Sequence, residues 1–337
     1  PSIKARETLV KSKNPAAGYA ARFLSFAKGA PSQAAAFQAL HYTLLVAGNA
    51  VPETRAQHTV RESTELILAN HLEEPGLEML VLAVADIHLP EVRTFLQSVS
   101  EKASRKEVQG TACLSLARYI MSSPRLSESG ERQLLGILER VQNEYADVSV
   151  GDKTLGEIVE PLLFERKNLA IGREVPEIVG KDADGVEFRL SDFRGKVVVL
   201  DFWADWCPFC AQMYPHERML VDELGGTMAI VGVNGDPLEQ LRSVQQEKKV
   251  TWRSFADGPG GPIAARWNIQ AYPTLFLIDQ QGIIRQKFEG YVDPATLGSA
   301  VQKLLGRSRG GDTNRGSQIS VPRGGRGLHS RKRPDDR

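Results

Sequence analysis

Two cysteines three residues apart, in Cys207-Pro208-Phe209-Cys210, are the residues of this chain best suited to chemistry. That spacing serves two kinds of site. It closes a reversible disulfide, in which one thiolate attacks and its neighbour resolves, and it also supplies half of a tetrahedral zinc site. His216 is the nearest imidazole, and adding it to the cysteine pair still leaves zinc one protein ligand short. The third cysteine, Cys113, stands among Val108, Ala112, Leu116, Ala117 and Ile120. Their helical spacing predicts a buried, inert thiol. Three cysteines in 337 residues make no disulfide framework, so packing must hold the fold.

The pair needs elements to aim it. Val197-Val198-Val199-Leu200, followed by Asp201 and Phe202, is an apolar, β-branched run that reads as a buried strand. A helix predicted over 209–224 begins just past it. The strand-to-helix turn places Cys207 where backbone N–H groups have no helical partner and the helix dipole is positive, a setting that favours a thiolate. Pro208 suits that first turn, because its fixed φ is helical and no N–H is lost.

Further residues stand in order around the pair. Gly172-Arg173-Glu174-Val175-Pro176, Asp184-Gly185 and Leu190-Ser191-Asp192-Phe193-Arg194-Gly195-Lys196 precede the strand. Phe202-Trp203-Ala204-Asp205-Trp206 leads into Cys207, Pro215 lies five residues after Cys210, and Tyr272-Pro273-Thr274 follows downstream. Over about residues 171–305 this set resembles the thioredoxin superfamily, and within it the TlpA/ResA-like thiol–disulfide oxidoreductases.

The resemblance implies a redox-active dithiol without metal or cofactor. Cys207 is then the exposed nucleophile, Cys210 the resolving thiol and Asp201 a buried acid that shuttles a proton to or from Cys210. Pro273 is expected cis, opposite the pair, exposing the Tyr272 backbone to an extended substrate and keeping metal from the thiols. Trp206, Pro208, Phe209 and Tyr272 form the expected substrate-facing rim, with Trp203 in the core. The chain departs from the family at three places: Asp201 stands where many TlpA-like proteins carry Asn, Tyr272 replaces a small or β-branched residue, and Met213 stands where an acid is often found. Pro208-Phe209 offers the thiolate no side-chain donor, which points to a moderate potential and a reductant. A peroxiredoxin would need Pro and Thr or Ser where Leu200 and Ala204 stand.

Composition is that of a globular protein, 42% hydrophobic and 25% charged, with a formal net charge of +1. No apolar run approaches the length of a membrane span. The charge is uneven: from Gly306 onward nine Lys/Arg face three Asp, a net +6 that leaves −5 for everything before it. The fold expected is therefore α plus α/β. An all-helical domain over 1–168, as a bundle or a stack of helical hairpins, precedes a thioredoxin-like α/β sandwich with a central mixed sheet over 169–305. A basic, Gly/Arg-rich tail over 306–337 is expected to be disordered. Helices are predicted over 16–28, 32–46, 53–71, 76–86, 91–103, 106–121, 129–145 and 155–167 in the first part. Strands at 187–190, 197–202, 228–233, 253–255, 275–278 and 284–288 and helices at 209–224, 238–248, 263–267 and 294–305 are predicted in the second.

His41, His58, His71 and His88 make no His-x-x-x-His or Glu-x-x-His pair, so the helical part offers no metal site. A plain packed bundle accounts for this part, and a surface for a protein partner is the functional alternative. The tail lacks the aromatic interleaving of a dedicated nucleic-acid binder. Protein thiols or disulfides and a redox partner are the expected clients. A partner-binding scaffold with a secondary redox pair is the alternative. The resemblance implies work outside the cytoplasmic membrane, periplasmic or tethered by a segment beyond the given sequence, with a cytoplasmic home as the alternative.

Overall fold

The computed structural model describes residues 16–48, 53–123 and 125–307. The basic tail thus lies outside the described residues from 308 on. The described residues of the first part are mainly helical: α1 (Ala16–Gly29), α2 (Ala34–Ala47), α3 (Glu53–Asn70), α4 (Leu77–Val84), α5 (Pro90–Lys102), α6 (Lys106–Met121), α7 (Glu128–Glu144) and α8 (Leu155–Asn168). Local chemistry sets several starts. Pro90 opens α5, the Ser127 hydroxyl accepts the Gly130 N–H at the head of α7, and Thr154 and Glu157 form a reciprocal capping box on α8.

Successive helices pack as hairpins, α1 on α2, α5 on α6, α6 on α7 and α7 on α8, while α3 reaches α5 and α4 reaches α6. This neighbour-and-next-neighbour pattern is a hairpin stack. Helix α6 is its axis, with Val108, Cys113, Leu116 and Ile120 all buried. Gly110 permits the tight contact there: a side chain would collide with Tyr145 and Leu155. A two-residue ribbon, β1 (Ser149–Val150) paired with β2 (Lys153–Thr154), interrupts the helices before α8. It is too short for any alternation to reveal it.

Helix α8 also holds the second part. Phe164 packs against Trp267, with ring centroids 6.3 Å apart, and the Arg266 guanidinium lies over the Phe164 ring. The Glu165 carboxylate accepts from Asn268 Nδ2 at 2.6 Å and Lys287 Nζ at 2.8 Å. These contacts join the helical stack to one face of the sheet.

That sheet has five strands in the order β7 (Ser254–Ala256), β6 (Met228–Asn234), β5 (Val197–Trp203), β8 (Thr274–Ile278), β9 (Ile284–Glu289). β5 runs parallel to β6 and β6 to β7, whereas β8 is antiparallel to both β5 and β9. A hairpin of β3 (Val179–Lys181) and β4 (Glu187–Arg189) precedes it, and its turn uses the positive φ of Gly185. Strand β5 is central and buried along all seven residues, the consequence of its continuous apolar run.

Alternation divides β5 between two cores. Val197, Val199 and Trp203 face helices α9 (Pro208–Leu224), α10 (Leu238–Gln246) and α12 (Pro294–Arg307). Val198, Leu200 and Phe202 face the β3–β4 hairpin, α11 (Pro262–Arg266) and the end of α8. The central mixed sheet covered on both faces is the α/β sandwich expected from the sequence.

Candidate active site

β5 delivers the chain to the site. After Trp203 the loop Ala204-Asp205-Trp206 turns into α9, with Cys207 as the N-cap residue and Pro208 in the first turn. The loop is pinned from below by polar residues at the end of β6 and on α10. Asp236 accepts the Asp205 N–H at 2.7 Å and the Asn234 Nδ2–H at 2.8 Å, while Gln240 donates to the Asp205 carboxylate at 2.7 Å. Sequence reasoning missed these three. The only available signal was that Asn234 ends, and Asp236 follows, a strand parallel to β5, where its carboxyl end must meet the same loop.

Cys207 Sγ accepts the Cys210 N–H at 3.4 Å, and the Cys207 thiol donates to the Tyr272 carbonyl at 3.3 Å. The Tyr272–Pro273 peptide bond is cis. Register explains the meeting of segments 65 residues apart: Phe202 pairs with Thr274, so the loop before β8 lies beside the end of β5. The Tyr272 ring lies over Gly235, where a side chain would strike its hydroxyl, and leans on Trp206 with centroids 5.7 Å apart. Trp206 and Phe209 are 68% and 54% exposed and form the outer rim with the exposed Pro208. Trp203 is fully buried.

One implication of the resemblance is corrected. Cys207 was expected to be the exposed thiol, yet it is 4% exposed against 2% for Cys210. Its sulfur is turned onto the Tyr272 carbonyl beneath the aromatic rim. The two sulfurs differ instead in what they face. Cys207 lies at the helix N-terminus and the cis-proline loop, and Cys210 faces inward, where burial and the neighbouring Asp201 charge both push its thiol up.

Asp201 is 2% exposed, its Oδ1 has no hydrogen-bond partner, and burial raises its carboxyl to about 8. A second buried acid shares its surroundings. Glu217 on α9 is 1% exposed with both carboxyl oxygens unpartnered, and burial followed by the Asp201 charge holds it well above the ordinary carboxylate range. Sequence reasoning did not find it, although Cys210, Met213, Tyr214 and Glu217 fall at one face's helical spacing. His216 lies elsewhere, against Gly298 of α12.

Cys113 is buried far from this site, and burial raises its thiol. Alkylation of the folded, reduced protein should modify Cys207, which caps a helix beneath the exposed Trp206 and Phe209, while Cys113, inside the helical core, stays unlabelled until denaturant is added. Peptide mapping reads this, and early Cys113 labelling would overturn its assignment as an inert core residue.

The AhpC/TSA family profile matches residues 171–287, from just before the β3–β4 hairpin into β9. The chain is 32% identical over 128 residues to the thioredoxin-like protein YneN of Bacillus subtilis, covering 36% of this chain and 74% of that protein. It is 33% identical over 129 residues to the thiol–disulfide oxidoreductase ResA of Geobacillus kaustophilus, covering 37% of this chain and 73% of that one. The solution structure of a thiol:disulfide interchange protein from Bacteroides sp. aligns at 26% identity and a TM-score of 0.37, over 42% of this chain and 93% of that one. Helices α1–α8 lie before the stretch matched by the family profile.

Proposed function

The chain belongs to the thioredoxin-like thiol–disulfide oxidoreductases related to ResA, and from that premise we propose that it reduces disulfides of protein substrates through Cys207 and Cys210. The observation that carries this is the placement of Cys207 Sγ, which caps α9 beside the Cys210 N–H and touches the backbone carbonyl before Pro273. A sulfur so placed can attack a disulfide held in extended form along the Tyr272 backbone, with Trp206, Pro208 and Phe209 beneath the flanking residues.

Attack by Cys207 forms a mixed disulfide and releases one substrate sulfur as thiolate. Cys210 then attacks Cys207 Sγ and gives its proton to Asp201. The Cys207–Cys210 bond forms as the second substrate sulfur leaves. Two electrons pass to the substrate, and a separate thiol donor must restore the pair. The reductant direction is supported by the makeup of the Pro208-Phe209 dipeptide, which has no side-chain donor to hold the thiolate. A peroxide-reducing reading lacks its hydroxyl, since Ala204 and Leu200 are buried apolar residues at the required positions.

We assign the activity outside the cytoplasmic membrane, as the TlpA/ResA resemblance implies, and assign the helical stack to a protein partner. Among the described residues no helix is long and apolar enough to cross a membrane. Turnover of insulin disulfides with a thiol donor tests the function. The expected result is precipitation well above the donor-only rate, and equality with that rate would remove the assignment.

A further inference from the structure

The chemistry above leaves Glu217 without a task. It stands on α9 two turns beyond Cys210, on the buried face that also carries Met213, Tyr214 and Leu220. Asp201 lies on the strand that this face covers, alternating with Val199 and Trp203, which pack against α9. Both acids are almost fully buried, and three of their four carboxyl oxygens lack any hydrogen-bond partner in the protein.

The surroundings hold few charges. α9 contributes Cys210 and Tyr214, and the loops above contribute Cys207, Asp205 and Asp236: thiols, a phenol and carboxyls, with no cation among them. Helices α10 and α12 and strands β6 and β8 present apolar side chains there. Among the described residues no lysine, arginine or histidine acts on either carboxyl. Two carboxyls that share such a buried region cannot both ionise, because the charge of one acts on the other and nothing compensates the second.

We propose that Glu217 is a positioning residue for the resolving step: it stays a protonated carboxylic acid and donates that proton as a hydrogen bond to the Asp201 carboxylate, which alone takes the proton of Cys210. The proposal rests on the dithiol reading given above. In the step itself the Cys210 S–H bond breaks and its proton goes to Asp201. The sulfur's electron pair forms the bond to Cys207, and the Cys207–substrate bond breaks with its pair leaving on the substrate sulfur. Glu217 keeps its proton throughout. The position is also consistent with the departure at Met213, where relatives often carry an acid: Glu217 is four residues on, one turn along the same buried face. The raised Glu217 carboxyl agrees with a group that stays neutral beside an ionised neighbour.

Ellman's reagent separates the two chemical steps. The first thionitrobenzoate released reports attack by Cys207, and the second reports resolution by Cys210. Glu217→Gln keeps a neutral donor and should leave the pH midpoint of the second phase where the parent has it. Glu217→Leu removes the donor and should move that midpoint up by about one unit, slowing resolution about tenfold at neutral pH. The first phase should be unchanged in both variants.

A downward shift in both variants would mean that Glu217 is ionised and repels Asp201, and an unmoved midpoint in Glu217→Leu would mean that it does not act on the step. Either result overturns the proposal. Loss of the second phase in the parent itself would instead remove the dithiol reading, and the role of Glu217 with it. Should Glu217→Leu not fold, infrared spectroscopy of Glu217→Gln decides. At about pH 9.5, above the Asp201 titration, the parent should retain a protonated-carboxyl stretch that the variant lacks. The same band persisting in Glu217→Gln would overturn the assignment.

Discussion

Cys207→Ser lowers the rate of disulfide reduction by at least about a thousandfold, since the hydroxyl left behind is not ionised at neutral pH and no other sulfur can reach the substrate. Cys210 cannot substitute. It faces inward behind Cys207, its thiol pushed up by burial and by Asp201. Cys210→Ser has a different outcome: attack proceeds, resolution does not, and the protein accumulates as a mixed disulfide with its substrate. Non-reducing electrophoresis after acid quench reads both variants. A Cys207→Ser protein that still traps substrate would reverse the order of the two sulfurs.

Asp201→Asn has the second large effect, and it appears in two measurements. In the proposed mechanism Asp201 accepts the Cys210 proton, a role worth about a hundredfold in the resolving step, and its loss should remove the rise of that step with pH towards about 8. The stability effect has a fixed sign. An aspartate titrates near 3.9 in the unfolded chain and at about 8 here, so between these values the folded protein holds a proton that the unfolded chain has released. Stability therefore falls as pH rises from about 4 to about 8 and levels above that. Asparagine has no proton to lose. The variant should match the parent near pH 4 and exceed it at pH 9, by up to a few kcal/mol. Glu217 imposes a slope of the same sign, so some pH dependence persists. Urea unfolding at the two pH values measures it, and an unchanged slope would mean that Asp201 is ionised and compensated in the fold.

Much of this arrangement was legible in the chain because local and tertiary preferences agree. The Val197–Phe202 run is both strand-forming and wholly apolar but for Asp201, so it could only be a central strand. The start of α9 was marked by Pro208, and the predicted helices match the structure to within a few residues. What escaped was short or solvent-facing. β3 has three residues, one of them Gly180, so that only the Asp184-Gly185 turn of its hairpin was readable, and β1 and β2 have two each, lengths at which a period of two has no room to repeat.

Within the site, the residues adjoining the cysteines and, through the resemblance, Tyr272 and Pro273 could be read, whereas Asn234, Asp236, Gln240 and Glu217 could not. The burial of Cys207 depends on Tyr272, which only the β5–β8 register places there. Glu217 was hidden by its type. Its helical spacing matched the core, but a glutamate on a helix ordinarily faces water, and only the packing of α9 over β5 shows that this one does not.

The most direct test of the account is a redox titration of Cys207 and Cys210 in defined thiol buffers, with acid quench, alkylation and mass measurement. The account predicts one reversible two-electron couple confined to these cysteines, at about −230 mV or lower, with Cys113 reduced throughout. A couple near −120 mV would contradict the reductant direction. The absence of any reversible Cys207–Cys210 disulfide would contradict the function itself.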